Sequence, residues 1–550
     1  MQNQSPERKR RDKRQVGLST GALFLALCAT EAWAQSPVAI RGRVTASGSP
    51  LEGAYVGAHA DGKTFTKYVL TGRDGQFSIR GLAPGNYGVF TRIPGFRTVH
   101  KNGVTVRAGD TAAADFQVMP ETEFLELVEQ ASNAELLESF PLTAAQKYAV
   151  DYRCSDCHGE YYIAKSRFSL RDWQMILRMM DDVRRITPAG DISKPPDSPN
   201  ANHHRRPPLS EHDGRSPRQR AAQPQAEGAE DQEIARYLAQ IRGPDSPDFP
   251  IKFMPRASGD RTRAVVTEYQ VPRVGATVRS VRVDPRGGYV WYPDWRANIV
   301  GRIEIATGEI REYPIPVRED PSPAGYPDYK PGMGNVATWD PLGKGILWIG
   351  QMWSGRSARF DTVNEKVTGV WAPPEERSAG SAPRGGGITT CLNTDGSVTY
   401  RMSDWTLDLE TGKFTELDRA AARRMQCRKN PLEENNWDGG WSPGGGPRSV
   451  LYTDPETGMT KEFPVTSVSP WARPYNAIGD PARKVGWTAP DVIDHIIKVD
   501  AGTGQLTAWP LPSHGQEIRN IDIELSANPP AIWFINQRSG KVIRFQEYVE

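Results

Sequence analysis

The stretch Val290-Trp291-Tyr292-Pro293-Asp294, continued by Asn298-Ile299-Val300-Gly301-Arg302-Ile303 and then Thr307-Gly308-Glu309-Ile310-Arg311-Glu312-Tyr313, contains three short alternating runs divided by turn residues. Such runs read as consecutive antiparallel strands. The pattern repeats. Turn signals fall at Thr307-Gly308, Asn364-Glu365, Thr411-Gly412, Thr457-Gly458 and Thr503-Gly504, spaced by 57, 47, 46 and 46 residues. Aromatic strands recur with them, at Leu347-Trp348-Ile349, Val485-Gly486-Trp487 and Ile532-Trp533-Phe534. A period near 46 suits the four-stranded blade of a β-propeller. The 285 residues from 266 to 550 predict six blades, and the irregular stretch Arg419 to Gly446 leaves seven open. Val266 to Pro272 reads as the outer strand of the last blade, so that strands from both ends close the ring and remove its exposed edge.

Working outward, residues 260–550 form this propeller and residues 243–259 a linker to it. The whole chain of 550 residues is 24% charged and 38% hydrophobic, with 52 Gly and 45 Pro, the composition of a loop-rich globular protein of several domains. Six of the 68 Lys/Arg and three of the 66 Asp/Glu lie in residues 1–34, leaving 62 against 63. That balance excludes a broad nucleic-acid-binding surface. Residues 1–34 read as a signal peptide. Arg8 to Arg14 is a basic region, Val16 to Thr30 is apolar, and Ala32-Trp33-Ala34 is a cleavage site that predicts release before Gln35. The apolar stretch is shorter than the roughly 20 residues of a spanning helix. The expectation is a periplasmic or secreted protein with no transmembrane anchor after cleavage.

With Cys28 removed, four cysteines remain. Cys391 and Cys427 are 36 residues apart and form either a disulfide, worth about 3 kcal/mol by the loop-entropy argument, or two buried thiols. The other pair lies in Cys154-Ser155-Asp156-Cys157-His158. Each sulfur of a C-x-x-C-H motif can bond to one haem vinyl while the histidine ligates the iron, so the motif reads as attachment of one covalent haem c. A zinc site would need a second C-x-x-C or a paired histidine motif, and neither is present. A helix starting at Pro141-Leu142-Thr143 runs into the motif. The second axial ligand is sought on the following helix, Arg167 to Met180, which resembles short c-type cytochrome domains carrying a Trp and, two turns later, a ligating Met. Counting from Trp173 gives Met180 first and Met179 second, with a histidine or an open iron position as alternatives. The predicted domain is a small all-α cytochrome c fold over 141–243, closed by a helix from Asp231 to Ile241 and interrupted at 186–230 by a polar, proline-rich insert. That insert holds His203, His204 and His212, read as solvated loop residues. An acidic helical linker, 120–140, precedes the domain.

Residues 36–119 alternate apolar and polar positions in short runs, with Asp74-Gly75 as a turn. Together with Pro50-Leu51-Glu52-Gly53-Ala54, Gly81-Leu82 and Pro84-Gly85-Asn86-Tyr87, they resemble the carboxypeptidase regulatory-like, transthyretin-type β-sandwich. The resemblance implies folding support or interaction, and His59 and His100 are read as surface residues. The propeller's phrasing, including Trp533-Phe534-Ile535-Asn536 and Gly540-Lys541-Val542-Ile543-Arg544-Phe545, resembles the virginiamycin B lyase family. That family opens a cyclic ester by elimination with a histidine base and a magnesium site built from Glu and His. Here Asn536, Gln351 and Asp294 occupy the glutamate position, while Asn335, Asn476 and Asn520 stand where the family has an inner-strand histidine. These six become possible ligands of a central channel. The propeller's histidines, His495 and His514, fall toward outer strands or loops.

The sequence therefore predicts an exported monohaem c-type cytochrome that transfers electrons, with a propeller that binds a redox partner protein or a small molecule. The alternatives are an oxidoreductase whose propeller binds substrate and passes electrons to the haem, and a carbon-oxygen lyase.

Overall fold

In the computed structural model, residues 39–154, 159–186, 229–294, 297–316, 334–351, 356–374, 388–402, 405–418, 427–428, 430, 432, 440–444, 448–480 and 483–548 are described. They are mostly β-structure. The N-terminal part is a β-sandwich. In one sheet Ala39–Ala46 is central, antiparallel to Ser49–Pro50 and Gln76–Arg80 and parallel to Thr111–Ala113 and Phe116–Val118. The facing sheet contains Phe65–Leu70, Tyr55–Ala60, Gly85–Arg92 and His100–Val106 in that spatial order. Alternation in these strands sends Ile40, Val44, Val56, Val69, Phe77, Ile79, Val89 and Phe116 into one shared core. The Asp74-Gly75 turn needs its glycine, because φ is +75° and a Cβ there would lie 2.5 Å from the Val44 carbonyl oxygen.

The sandwich does not end at its own edge. Phe65–Leu70 pairs with Ala264–Gln270, whose other side pairs over seven residues with Lys541–Glu547. One eight-stranded sheet thus runs from the N-terminal domain through Ala264–Gln270 into Lys541–Glu547, Ala531–Asn536 and Ile521–Glu524. Tyr55 and Tyr68 pack with Val266, Trp509 and Phe545 beneath the seam. The open edge of Phe65–Leu70 is satisfied by Ala264–Gln270, the strand that also pairs with Lys541–Glu547.

Among the described residues, five further antiparallel sheets follow in chain order. The first contains Arg282–Val283, Tyr289–Pro293, Ile299–Glu304 and Ile310–Pro314; the second Gly334–Trp339, Ile346–Gln351, Arg356–Asp361 and Lys366–Trp371. The third contains Thr389–Leu392, Val398–Met402, Trp405–Leu407 and Phe414–Glu416; the fourth Trp441–Pro443, Ser449–Thr453 and Thr460–Pro464; the fifth Ile478–Asp480, Val485–Thr488, His495–Asp500 and Leu506–Pro510. Each is a meander of sequential neighbours. The repeated turns form for a local reason. Asp361, Asp408, Asp454 and Asp500 each accept two backbone N–H groups of their own turn, and Gly308, Gly412, Gly458 and Gly504 supply positive φ. The recurring tryptophans also share a device. Trp291, Trp348 and Trp533 are buried and donate their indole N–H to Asp284, Asp340 and Glu524 respectively. The first strands of neighbouring sheets touch, Arg282–Val283 against Ile521–Glu524, the latter against Ile478–Asp480, and that against Trp441–Pro443.

The described helices are α1 Phe124–Glu129, α2 Asn133–Ser139, α3 Ala144–Cys154, α4 Tyr161–Lys165, α5 Leu170–Ile186 and α6 Ala229–Arg242. Ser132 and Glu135 form a capping box on α2, and Ser169 with Asp172 caps α5 in the same way. Among the described residues, no helix is long and apolar enough to cross a membrane. Leu136, Leu137, Val150, Cys154, Trp173 and Ile234 share one core with Trp441, Trp471, Ile493 and Ile497 of the sheets. The helices are thus packed directly onto the β-structure.

Candidate functional site

Cys154 closes α3 and is buried. Cys157 and His158 lie outside the described residues. At Gly159 a Cβ would fall 2.4 Å from Asn133 Oδ1 and 2.8 Å from the Tyr161 ring, so only glycine fits that approach. The next amide, Glu160 N–H, donates to Asn133 Oδ1 at 3.1 Å, which pins the segment after the motif to the start of α2. On α5, Trp173 and Leu177 are buried, and the Trp173 indole donates to the Arg242 carbonyl of α6. Met180 lies one and two turns beyond these residues on the same face and is half-buried. Met179 is 53% exposed on another face. Tyr162, Phe168, Leu170 and Met175 are also exposed around this helix.

α3 is fastened to the β-structure three residues before Cys154. Asp151, 2% exposed, faces Arg473 at 3.5 Å, and nearby the Arg448 guanidinium lies over the rings of Tyr148 and Trp471. Trp471 also donates to Glu138 Oε1 at 2.7 Å. Arg473 belongs to a charged cluster where chain segments enter the first strands of the sheets. Arg519 bonds Glu517, and Arg538 Nε donates to the other Glu517 oxygen at 3.1 Å. Burial would raise the Glu517 carboxyl, but Arg519 and Arg538 outweigh it and hold the group below the usual carboxylate range. Asp491 goes the other way: burial pushes its carboxyl up despite Arg519 at 3.9 Å. Burial likewise pulls the Arg279 guanidinium down.

The six proposed channel residues divide. Asp294 is fully buried and accepts from Arg273 Nη2 at 2.7 Å, from Thr277 N–H at 2.7 Å and from Ala297 N–H at 2.8 Å, so its carboxylate is engaged inside its own sheet. Burial would raise it, and these donors together hold it low. Gln351 and Asn536 are buried; the first donates to the Pro316 carbonyl and the second accepts from the amides of Arg538 and Ser539. Asn476 and Asn520 are half-buried and meet, Nδ2 to Oδ1, at 3.5 Å. Asn335 lies in Gly334–Trp339, with its side chain outside the described residues. Cys391 and Cys427 are joined in a disulfide with Cα atoms 5.0 Å apart.

The sequence reading missed Arg279, Arg473, Asp491, Glu517, Arg519 and Arg538. A signal was present: Arg-Pro-Tyr-Asn at 473–476 and Glu-Ile-Arg-Asn at 517–520 put a charge directly upstream of an apolar first strand at the same repeat position. His495 and His514 sit elsewhere, in a cleft where the sandwich, α2 and the fifth sheet meet, lined by Arg92, Glu135, Met254 and Asp494 as well. Burial pulls His495 below its ordinary value while its Nδ1 stands 2.6 Å from the Ile493 carbonyl. Among the described residues, no three or more His, Cys, Asp or Glu gather into a metal-binding group.

A family model described as carboxypeptidase regulatory-like domain matches residues 39–119, and the two N-terminal sheets are that domain. No curated protein matches the chain. Among solved structures, a chain of "Crystal Structure of Mitotic Checkpoint Complex" is similar over 52% of this chain and 82% of that one, at 11% identity and a TM-score of 0.27, a likeness that carries no argument about fold or function.

Proposed function

We propose that the chain is an exported monohaem c-type cytochrome whose haem domain is mounted on a six- or seven-bladed β-propeller, resembling the virginiamycin B lyase fold, and that it transfers electrons. The observation that carries this reading is Cys154-Ser155-Asp156-Cys157-His158 at the buried end of α3. The residues fit a covalent haem. Cys154 faces an apolar core, Gly159 after the motif allows the close approach to Asn133, and α5 carries Trp173, Leu177 and Met180 on one face. The apolar side chains exposed at Phe168 and Leu170, beside the start of that face, suit contact with a bound haem. Bound there, haem c supplies a one-electron redox centre. Cys154 and Cys157 would hold it covalently, and His158 with Met180, or Met179 as the second candidate, would be its iron ligands.

The propeller reading is supported by the succession of meanders, by contacts between first strands of successive sheets, and by Ala264–Gln270 pairing with Lys541–Glu547. The ion pair between Arg473 and Asp151 supports a position of α3 against the inner ends of the proposed blades. That placement favours a second reading, in which a small molecule bound at the channel mouth gives up electrons to the haem. The test is the intact mass and visible spectrum of the mature protein from a host able to attach haem. One covalent haem, lost in Cys154→Ser, is expected; a haem-free wild-type protein from that host overturns the reading.

A further inference from the structure

Three consecutive buried residues at the start of α2 reach three different parts of the chain. Asn133 Oδ1 accepts from the Glu160 amide, just beyond Cys154-Ser155-Asp156-Cys157-His158. Ala134 N–H donates to the Val492 carbonyl at 2.8 Å. Glu135 lines the cleft that holds His495. Val492 has φ of +70°, a left-handed conformation that a β-branched residue keeps only where its surroundings hold it. The bond from Ala134 and the core that Val492 shares with α2 supply that hold. In the cleft, a carbonyl can only accept, so His495 Nδ1 donates to Ile493 and Nε2 is left as the ring's acceptor. A proton on Nε2 makes a second, charged donor. The groups that face it come from every side. Arg92 of the sandwich and Arg256 carry the same charge, His514 opposes it, and the Tyr55 hydroxyl is bonded to the Pro510 carbonyl. Glu135 and Asp494 attract it, Glu135 the more strongly. Both carboxylates are already engaged: Asp494 by the amides of Gly515 and Gln516, Glu135 by the Met254 amide at 2.6 Å and by the amide and hydroxyl of Ser132 at 2.7 and 2.9 Å. The new donor and the helix cap therefore compete for one carboxylate.

We propose that His495 is an acid-operated latch on α2: when its ring takes up a proton from solvent it draws Glu135 out of the capping box with Ser132, loosens the first turn of α2, and frees the segment that follows the cysteine motif. Loss of the cap removes an orphan-amide partner at Ser132 and at Glu135 together. The Asn133 and Ala134 contacts lie in that same first turn, so they loosen with it. As regulation of the haem site this inference rests on the cytochrome reading; the latch itself does not.

Amide hydrogen exchange of the mature protein, read by mass spectrometry and corrected for intrinsic exchange, tests it. The peptides followed are Asn133–Ser139, Tyr161–Lys165 and, as a distant reference, Ile346–Gln351. Between about pH 7.5 and 5, protection of the first two should fall together by about tenfold or more relative to the reference. His495→Gln should abolish the fall. Asp491→Asn should keep it, because that carboxyl faces Arg519. If His495→Gln does not fold, exchange at the histidine ring C2 position in the wild type gives the titration of His495 itself, and its midpoint should coincide with that of the loosening. No fall, a fall retained in His495→Gln, a midpoint apart from that of His495, or loosening of α2 without Tyr161–Lys165 overturns the proposal. Absence of covalent haem from the wild-type protein sinks the cytochrome reading alone, because the peptides are read in either form.

Discussion

Glu268→Ala tests the strand that joins the two ends of the chain. Glu268 stands in the middle of Ala264–Gln270, its side chain 2% exposed, and its Oε2 accepts from Lys541 Nζ at 2.7 Å and from Ser513 Oγ at 2.7 Å. Lys541 is 19% exposed and also donates to Ser513 at 2.7 Å. Removing the carboxylate leaves a mostly buried ammonium with the hydroxyl as a partner and part of its surface in water. The loss should sit at the lower end of the range for breaking a buried pair, about 3 kcal/mol. Lys541→Met leaves a carboxylate among Tyr55, Tyr68 and Val266 and should cost more, up to about 5 kcal/mol. Glu268→Leu combined with Lys541→Met replaces both charges by apolar groups and should cost far less than the sum of the single losses. Guanidinium unfolding of the mature chain, followed by tryptophan fluorescence, measures all three. Single losses below about 1 kcal/mol, or additive losses in the double variant, would refute the claim that this pair holds the seam together.

Two further outcomes follow from packing and protonation. Gly301→Ala puts a Cβ 2.0 Å from Tyr292 Cζ, and Gly486→Ala puts one 2.3 Å from the Trp441 indole, so each should lower stability by about 1–3 kcal/mol through overpacking, read as a lowered unfolding midpoint. His495 is held neutral by burial in a cleft facing Glu135, Asp494 and His514, and its pKa lies below the ordinary 6.5. The unfolded chain therefore binds this proton more readily than the folded one. Stability from this group is fully present above about pH 6.5 and is lost as pH falls toward the folded value, with a slope of up to about 1.4 kcal/mol per pH unit. His495→Gln should flatten the profile in unfolding measured from pH 7.5 to 5; an unchanged slope contradicts the assignment.

The sandwich and the meanders were legible because their signals are local. Alternation marks which side chain faces the core, and an Asp followed by Thr-Gly encodes its own turn, as at Asp454 and Asp500. The pairing of Phe65–Leu70 with Ala264–Gln270 was not legible, since periodicity reports a buried face and is silent about which strand takes an open edge. The charged cluster was missed for a related reason. Arg279, Arg473 and Arg519 are ordinary charges in sequence and come together only when three segments far apart in the chain converge around Tyr475 and α3. Asp294 shows the converse: its place at the end of an inner run suggested a ligand, while Arg273 and two backbone amides already occupy it.

The central proposal is that this chain carries one covalent haem for which His158 and Met180 would be the iron ligands. The most direct measurement is the visible spectrum of the purified mature protein, oxidised and reduced, for the wild type, Met180→Ala and Met179→Ala. The account predicts a low-spin c-type spectrum in the wild type and in Met179→Ala, converted to a high-spin form that binds added imidazole in Met180→Ala. A spectrum unchanged by Met180→Ala would contradict the assigned ligand, and the absence of any covalent haem band would contradict the account itself.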